Sequence, residues 1–270
     1  MEKKSLWVLA CALICGLVTF SACSNDDDND NDNPVTDPVF LSKIDNVMVA
    51  SATGDTVSTS TQTNTWEGGL LKKQYAVGKT KVGGEEYTIE LGSIFTYSGK
   101  NCTEIRSLDG MTVNSYTYDA KGRMTSATSK TSDSDQTIGN NRNIQITEYT
   151  KDGYVKKMEE TYTYSWGETR RMSYDLTWKD GDLVKYTTHN IEPEGEDNTY
   201  EVKYDTYPSI FTGYPLAQYI FEGPSGIGFR GSKHNPISGG DIYSYKNGRV
   251  VSSAQGITTT YYTYTDGTSE

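Results

Sequence analysis

The chain has 270 residues, with 36 acidic against 25 basic side chains and a formal net charge of −11. A surface this acidic repels nucleic acid and anionic polysaccharide at long range, which excludes a nucleic-acid partner; its main effect is solubility. Cys11 and Cys15 fall in an apolar N-terminal run and Cys23 directly after it, so Cys102 is alone in the remainder and an intramolecular disulfide framework is excluded.

Glu2, Lys3 and Lys4 precede an apolar run from Leu6 to Phe20. Such a run is too short to span a bilayer comfortably and has the shape of an export signal. It ends in Phe20-Ser21-Ala22-Cys23, small residues directly before a cysteine, and this resembles a bacterial lipoprotein signal, with Phe20 where that motif usually carries leucine. The resemblance implies removal of residues 1–22 and lipidation of Cys23 as the new N-terminus. Ser24 to Asn33 contains only Ser, Asn and Asp, with no apolar group to offset the entropy of ordering it. Residues 23–39 therefore read as a solvated tether, which at ~3.3 Å per residue reaches on the order of 50 Å when extended. An acidic run after the lipidated cysteine also resembles the surface-export signal of Bacteroidetes-type lipoproteins. That implies a lipid anchor in the outer membrane and a domain facing the cell exterior. Asp26, Asp28 and Asp30 alternate as in a calcium loop, but the glycine turn and the bidentate glutamate of such a loop are missing.

Residues 40–270 read as a single all-β domain, roughly 230 residues being enough to bury a core without disulfides. Phe40 to Ala50 suits a first strand, although Phe40, Leu41, Ile44, Val47 and Met48 also fit a helical stripe. Val57 to Trp66 is rich in Thr and Ser, Glu67-Gly68-Gly69 turns the chain, and Leu70 to Val77 returns. Tyr87, Ile89 and Leu91 alternate with Thr88 and Glu90. Turns are expected at Thr96 to Lys100 and at Leu108-Asp109-Gly110. Tyr116 to Thr125 then gives the clearest unit: an alternating aromatic strand, a glycine turn at Gly122 and a second alternating strand. Ser126 to Arg142 reads as a long polar loop or a ragged hairpin tip. Ile144 to Thr150 leads to Lys151-Asp152-Gly153, and the return strand alternates Tyr162, Tyr164 and Trp166 with Thr161, Thr163 and Ser165. Met172, Tyr174, Leu176 and Trp178 alternate up to Lys179-Asp180-Gly181; Val184, Tyr186 and Thr188 continue, and Tyr200, Val202 and Tyr204 mark another strand. The last hairpin turns at Asn247-Gly248 before a terminal ladder from Thr258 to Thr265. Asp-Gly and Asn-Gly supply the positive φ that two-residue hairpins need, and Tyr-x-Tyr alternation suits a pleated, half-buried surface. The expected architecture is an antiparallel meander of Tyr-rich hairpins, closed as a barrel or open as an extended curved sheet.

One region breaks the alternation. Pro208 to Phe221 is the most apolar stretch beyond the leader and has no clean period of two; Gly223 to Gly240, rich in Gly, Pro and Ser, follows it. It reads as a connection folding over the core, or as a lid on a ligand cavity built from Ile210, Phe211, Tyr214, Leu216, Tyr219 and Phe221. Gly226 to Gly231 matches the dinucleotide fingerprint in letters, but that loop must leave a buried strand and open a helix, and no helical stretch is expected there.

The Tyr116 to Thr125 unit resembles the YD repeats of large bacterial shell-forming proteins. The leader, the Tyr-rich hairpins, Ile210 to Phe221, Gly231 to Ile237 and the Thr-Tyr terminal ladder together resemble a family of lipoproteins containing a domain of unknown function with a porin-like fold. That resemblance runs from about Lys43 to the C-terminus. It implies a β-barrel-like fold and brings no catalytic residues.

No constellation points to catalysis. His189 and His234 lack zinc-ligand spacing, so no metal site is expected; no carboxylate pair, nucleophile elbow or oxyanion loop stands out, and no cofactor is implied. The tyrosines and tryptophans offer flat faces with a polar tip, suited to sugars and proteins alike. Tyr162, Tyr164, Trp166, Tyr174 and Trp178 are the candidate ligand-binding residues if adjacent hairpins align them. The expectation is a non-enzymatic surface lipoprotein that binds or scaffolds an extracellular glycan or protein. The alternatives are a carrier of a small apolar ligand with residues 208–221 as its lid, and a hydrolase with an unrecognised site.

Overall fold

The computed structural model describes residues 40–49, 56–82, 85–132, 141–237, 242–246, 249–255 and 258–265. The leader, Cys23, the acidic tether and the Asn247-Gly248 turn lie outside the described residues. The strands are β1 (Phe40–Val49), β2 (Thr56–Glu67), β3 (Leu70–Val82), β4 (Glu85–Ser98), β5 (Asn101–Ser107), β6 (Thr112–Tyr118), β7 (Met124–Thr131), β8 (Asn141–Tyr149), β9 (Val155–Thr163), β10 (Thr169–Lys179), β11 (Asp182–Glu192), β12 (Asn198–Glu201), β13 (Tyr204–Pro208), β14 (His234–Pro236), β15 (Ile242–Lys246), β16 (Arg249–Gln255) and β17 (Thr258–Thr265). Two short helices, α1 (Leu216–Tyr219) and α2 (Gly223–Gly231), flank a 3₁₀ turn at Ile220–Glu222.

The meander expected from the alternation is present: 15 strands follow in the hydrogen-bonded order β12-β11-β10-β9-β8-β7-β6-β5-β4-β3-β2-β1-β17-β16-β15. Among the described residues β12 and β15 end this order without pairing to each other, so the sheet is open rather than a closed barrel. The chain forms two compact units, one comprising Met1–Gly92, Asp205–Gly213 and Ile237–Glu270, the other Ser93–Tyr204 and Tyr214–Pro236.

In the first unit β1 pairs with β2 on one side and β17 on the other. Its apolar anchor is a stack of Phe40 on Trp66, ring centroids 4.6 Å apart. The Leu41 carbonyl accepts from Trp66 Nε1 at 2.9 Å and Asn64 Nδ2 at 2.8 Å, so the polar edges of this core are paired. Gly213 closes against the same stack at φ +85°, where an added Cβ would lie 2.4 Å from Phe40 Cε1.

In the second unit the register sorts the side chains by face. One row runs Tyr116, Ala127, Ile144, Glu160, Met172 along β6 to β10. Tyr116, Ala127 and Ile144 are buried, as are Met158, Tyr174, Leu176 and Leu183 on the same side. The neighbouring row on the opposite face runs Thr117, Ser126, Gln145, Glu159, Ser173, His189 and is polar throughout. That row carries none of the apolar side chains of the outward band that a lipid-facing barrel wall presents.

Three hairpins of this unit share one turn. Asp119 N donates to Arg123 O, Thr150 N to Tyr154 O and Tyr164 N to Glu168 O, at 2.8 to 2.9 Å, and Gly122, Gly153 and Gly167 close the inner bond. These are three-residue loops with the glycine at positive φ, so Asp152-Gly153 is not the two-residue turn its letters suggest; Asp180-Gly181, with φ of 55° and 98°, is. The aspartate of Asp119-x-x-Gly does further work: its Oδ1 accepts from Lys121 N and Arg123 N, both at 2.9 Å. The Arg123 backbone and side-chain bonds hold the Asp119 carboxyl below its usual range.

The structure corrects three expectations. The described residues of Ser126 to Arg142 are mostly strand, since β7 continues to Thr131 and β8 begins at Asn141; residues 133–140 lie outside the described residues. Tyr200, Val202 and Tyr204 do not share a strand, because β12 stops at Glu201 and β13 starts at Tyr204. Residues 223–231 are helical rather than an irregular loop, and the fingerprint glycines sit inside α2. Their use there is close packing: a Cβ on Gly228 would lie 3.1 Å from Leu183 Cδ2 and 3.3 Å from the Tyr204 hydroxyl.

Candidate functional site

The five aromatic candidates do not form one face. Tyr162 ends β9, while Tyr164 and Trp166 belong to the tight turn into β10 rather than to the strand that alternation assigns them. The three still form one array: Tyr162 meets Tyr164 edge-on with centroids 4.5 Å apart, and Tyr164 stacks on Trp166 at 4.5 Å and 19°. Stacking consumes ring faces, so the array offers a ligand chiefly the outer face of its last ring. That ring is Trp166, 69% exposed, the most exposed large apolar side chain among the described residues. Trp166 Nε1 donates to Glu168 Oε2 at 3.0 Å, which fixes the indole on the turn. Tyr164 behind it and Glu168 beside it thus pre-orient an exposed aromatic face, lowering the entropy cost of using it. Arg170, which faces Tyr162 across the hairpin, donates through Nη2 to Asn190 Oδ1 at 3.1 Å.

The other two candidates serve the fold. Trp178 stacks on Tyr154 at 4.6 Å and donates Nε1 to the Val155 carbonyl at 2.7 Å, at the opposite end of the β9–β10 ladder. Tyr174 is buried on the core face, and its hydroxyl donates to Glu160 Oε2 at 2.8 Å. Burial and then the Glu160 carboxylate push the Tyr174 hydroxyl up, keeping it a donor across the physiological range.

Glu160 itself is only 2% exposed. It is paired with Arg142 Nε, whose Nη1 also donates to the Phe221 carbonyl. Because Arg142 also lies 5.8 Å from the centroid of the Phe221 ring, one guanidinium joins the sheet to the segment that crosses it. The six residues expected to form a lid are largely packing. Ile210 and Phe211 are buried in the first unit, and Tyr214 and Tyr219 in the second, where the Phe221 ring lies 6.2 Å from Tyr116. The far end of the helical segment is also tied down. The Tyr204 hydroxyl lies 3.0 Å from the Leu183 carbonyl and 3.3 Å from that of Gly228, Ser232 Oγ accepts from Leu183 N at 3.0 Å, and Asp182 accepts both the His234 backbone N–H and its Nδ1.

His189, on the polar face, lies between two carboxylates, Nε2 3.0 Å from Asp175 and Nδ1 2.8 Å from Asp197. The bond to Asp197, then that to Asp175, raises its pKa, so the charged imidazolium is favoured. Its two nitrogens are spent on carboxylates in opposite directions, which suits a clip on the loop before β12 rather than a metal ligand. Cys102 is buried on β5 with Sγ 3.5 Å from the Glu104 carbonyl, a strand residue of the core.

No family model and no curated protein matches the chain. Among solved structures it is similar to a porin-like protein from Bacteroides uniformis ATCC 8492, with 18% identity over 85% of this chain and 100% of that one and a TM-score of 0.55. A porin-like protein from Bacteroides vulgatus ATCC 8482 aligns over 84% of this chain and 99% of that one, at 9% identity and a TM-score of 0.27. The first likeness is one of fold, a porin-like one, as the resemblance of the sequence implies, and the sheet of this chain is an antiparallel meander that stays open among the described residues.

Proposed function

We propose that this chain is a lipoprotein, anchored through a lipid on Cys23 in the outer membrane and facing the cell exterior, whose all-β domain is a non-enzymatic module that binds an extracellular glycan. The observation that carries the binding reading is Trp166, 69% exposed at the end of a stacked aromatic array and held by Glu168. A pre-oriented indole face with a carboxylate beside it can stack on a sugar ring and accept one of its hydroxyls. The anchor is supported by Ser21-Ala22-Cys23 after an apolar run, and surface display by the acidic residues that follow. The carrier reading has less support, because the segment it needs as a lid is tied to the sheet by Arg142 at Phe221, and the helical stretch that follows it by Tyr204 and Ser232.

A glycan panel read by thermal shift tests the binding reading: one class raises the melting temperature of the wild type, and Trp166→Ala abolishes the shift without changing the unliganded value. A protein ligand in place of a glycan would show as an empty panel with Trp166-dependent capture of a cell-surface protein. Metabolic labelling with palmitate, lost in Cys23→Ala, tests the anchor, and protease shaving of intact cells tests the display.

A further inference from the structure

The polar face of the second unit carries a second feature, independent of Trp166. A groove of about 480 Å³ lies over β6, β7 and the start of β8, lined by Met111, Val113, Ser115, Thr128, Lys130, Asn141 and neighbours in the adjoining turns. That volume falls among small-molecule sites. The register explains its chemistry. Arg106, Val113, Lys130 and Asn141 follow one another across β5, β6, β7 and β8 as direct partners, and Glu104, Ser115, Thr128 and Asn143 form the next row. Two cations thus flank Val113 on neighbouring strands, their backbones two strand spacings or about 10 Å apart.

The charges around the groove favour an anion. Among the described residues no carboxylate lines it, in a chain with 36 acidic and 25 basic residues. Glu104 is the nearest acid in the register and is engaged by Arg106, through both Nε and Nη2. Asp109, in the turn at one end, is occupied by Ser107 Oγ and Met111 N. Lys130 is exposed and makes no ion pair among the described residues. The remaining wall consists of hydroxyls from Ser115, Thr128, Thr131 and Ser132, one amide, and the apolar sides of Met111 and Val113.

We propose that this groove binds a sugar carrying a single carboxylate, a uronic-acid residue, with the carboxylate on Lys130 and the ring hydroxyls facing the Ser and Thr wall. The chain's overall negative charge disfavours a polyanion. A monoanion seated within a Debye length of about 8 Å of Lys130 is governed by that cation instead, while Arg106 neutralises Glu104 beside it.

The test is calorimetric titration of the full chain with a glucuronate-terminated disaccharide, its glucose-terminated counterpart and a short peptide with one glutamate. The uronate is expected to bind about tenfold or more tightly than the neutral sugar, with an affinity that falls as salt rises. Lys130→Gln reduces it to the neutral level; Trp166→Ala leaves it unchanged, so this result is separate from the fate of the Trp166 reading. Lys130 is exposed and has no ion pair among the described residues, so an unchanged melting temperature for Lys130→Gln shows that the loss is local. Equal binding of both sugars, no effect of Lys130→Gln, tighter binding of the acidic peptide, or no binding by any probe would each overturn the assignment.

Discussion

Removing the Arg142 guanidinium should cost far more than its part-exposed position implies, because it strands Glu160. The Arg142 side chain is 27% exposed, whereas that of Glu160 is 1% exposed. In Arg142→Met, Glu160 keeps the Tyr174 hydroxyl as its partner but loses its counter-charge, and the Phe221 carbonyl loses a donor. Breaking a buried pair from one side costs about 3 to 5 kcal/mol, against a total stability of about 5 to 15 kcal/mol for a domain. Replacing both partners, as in Arg142→Met with Glu160→Met, removes the uncompensated charge and should recover most of the loss. Urea denaturation followed by tryptophan fluorescence gives the two values, provided m is unchanged so that the midpoint reports stability. A single variant within about 1 kcal/mol of wild type, or a double variant no better than the single, would refute the claim that Glu160 is buried and dependent on Arg142.

Three further outcomes follow from particular residues. Gly213→Ala should destabilise by about 1 to 3 kcal/mol in the same assay, because its Cβ meets Phe40 at a positive φ; a neutral result would place Phe40 elsewhere. His189 has a raised folded pKa, so its contribution is fully present below the unfolded value of about 6.5 and is lost as pH rises through the folded one. The stability gap between wild type and His189→Asn, read by urea denaturation, should therefore narrow as pH rises above about 6.5, by an amount near 0.5 kcal/mol; a gap that stays constant or widens contradicts the clip. Tyr118→Phe removes the hydroxyl that donates to the Cys102 carbonyl at 2.6 Å and should cost about 1 kcal/mol, read by urea midpoint, unless that bond is absent in solution.

The meander was legible because each level of the sequence agreed. Tyr-x-Tyr alternation set the faces, and glycines within four residues of a strand's end set the turns. The helical segment was hidden because nothing local announces it. Gly223 to Gly231 has four glycines and a proline in nine residues, poor helix-forming material, and tertiary packing of Gly228 against Leu183 and Tyr204 overrides that preference. Glu160 was missed although a signal existed: it shares the parity of Met158 and Tyr162, which puts a carboxylate on the apolar face and requires a partner. Which residue supplies that partner depends on the β8–β9 register, and bulges at Ile146/Glu148 and Glu148/Tyr149 make that register unreadable from the sequence. The row from Arg106 to Asn141 was hidden for the same reason, since bulges and loop lengths on four strands decide it. Trp166 is exposed but in a different local geometry from the strand that alternation suggests, because Gly167 bends the chain before alternation can continue.

If Trp166 presents a ligand-binding face, its indole emission responds when that face is covered. Intrinsic fluorescence of wild type and Trp166→Phe, titrated with the glycan class that gives a thermal shift, measures this. Saturable quenching or a blue shift is expected in the wild type and not in Trp166→Phe, whose affinity falls at least about tenfold. Full affinity retained in Trp166→Phe and in Trp166→Ala, with the indole emission unmoved by ligand, would contradict it.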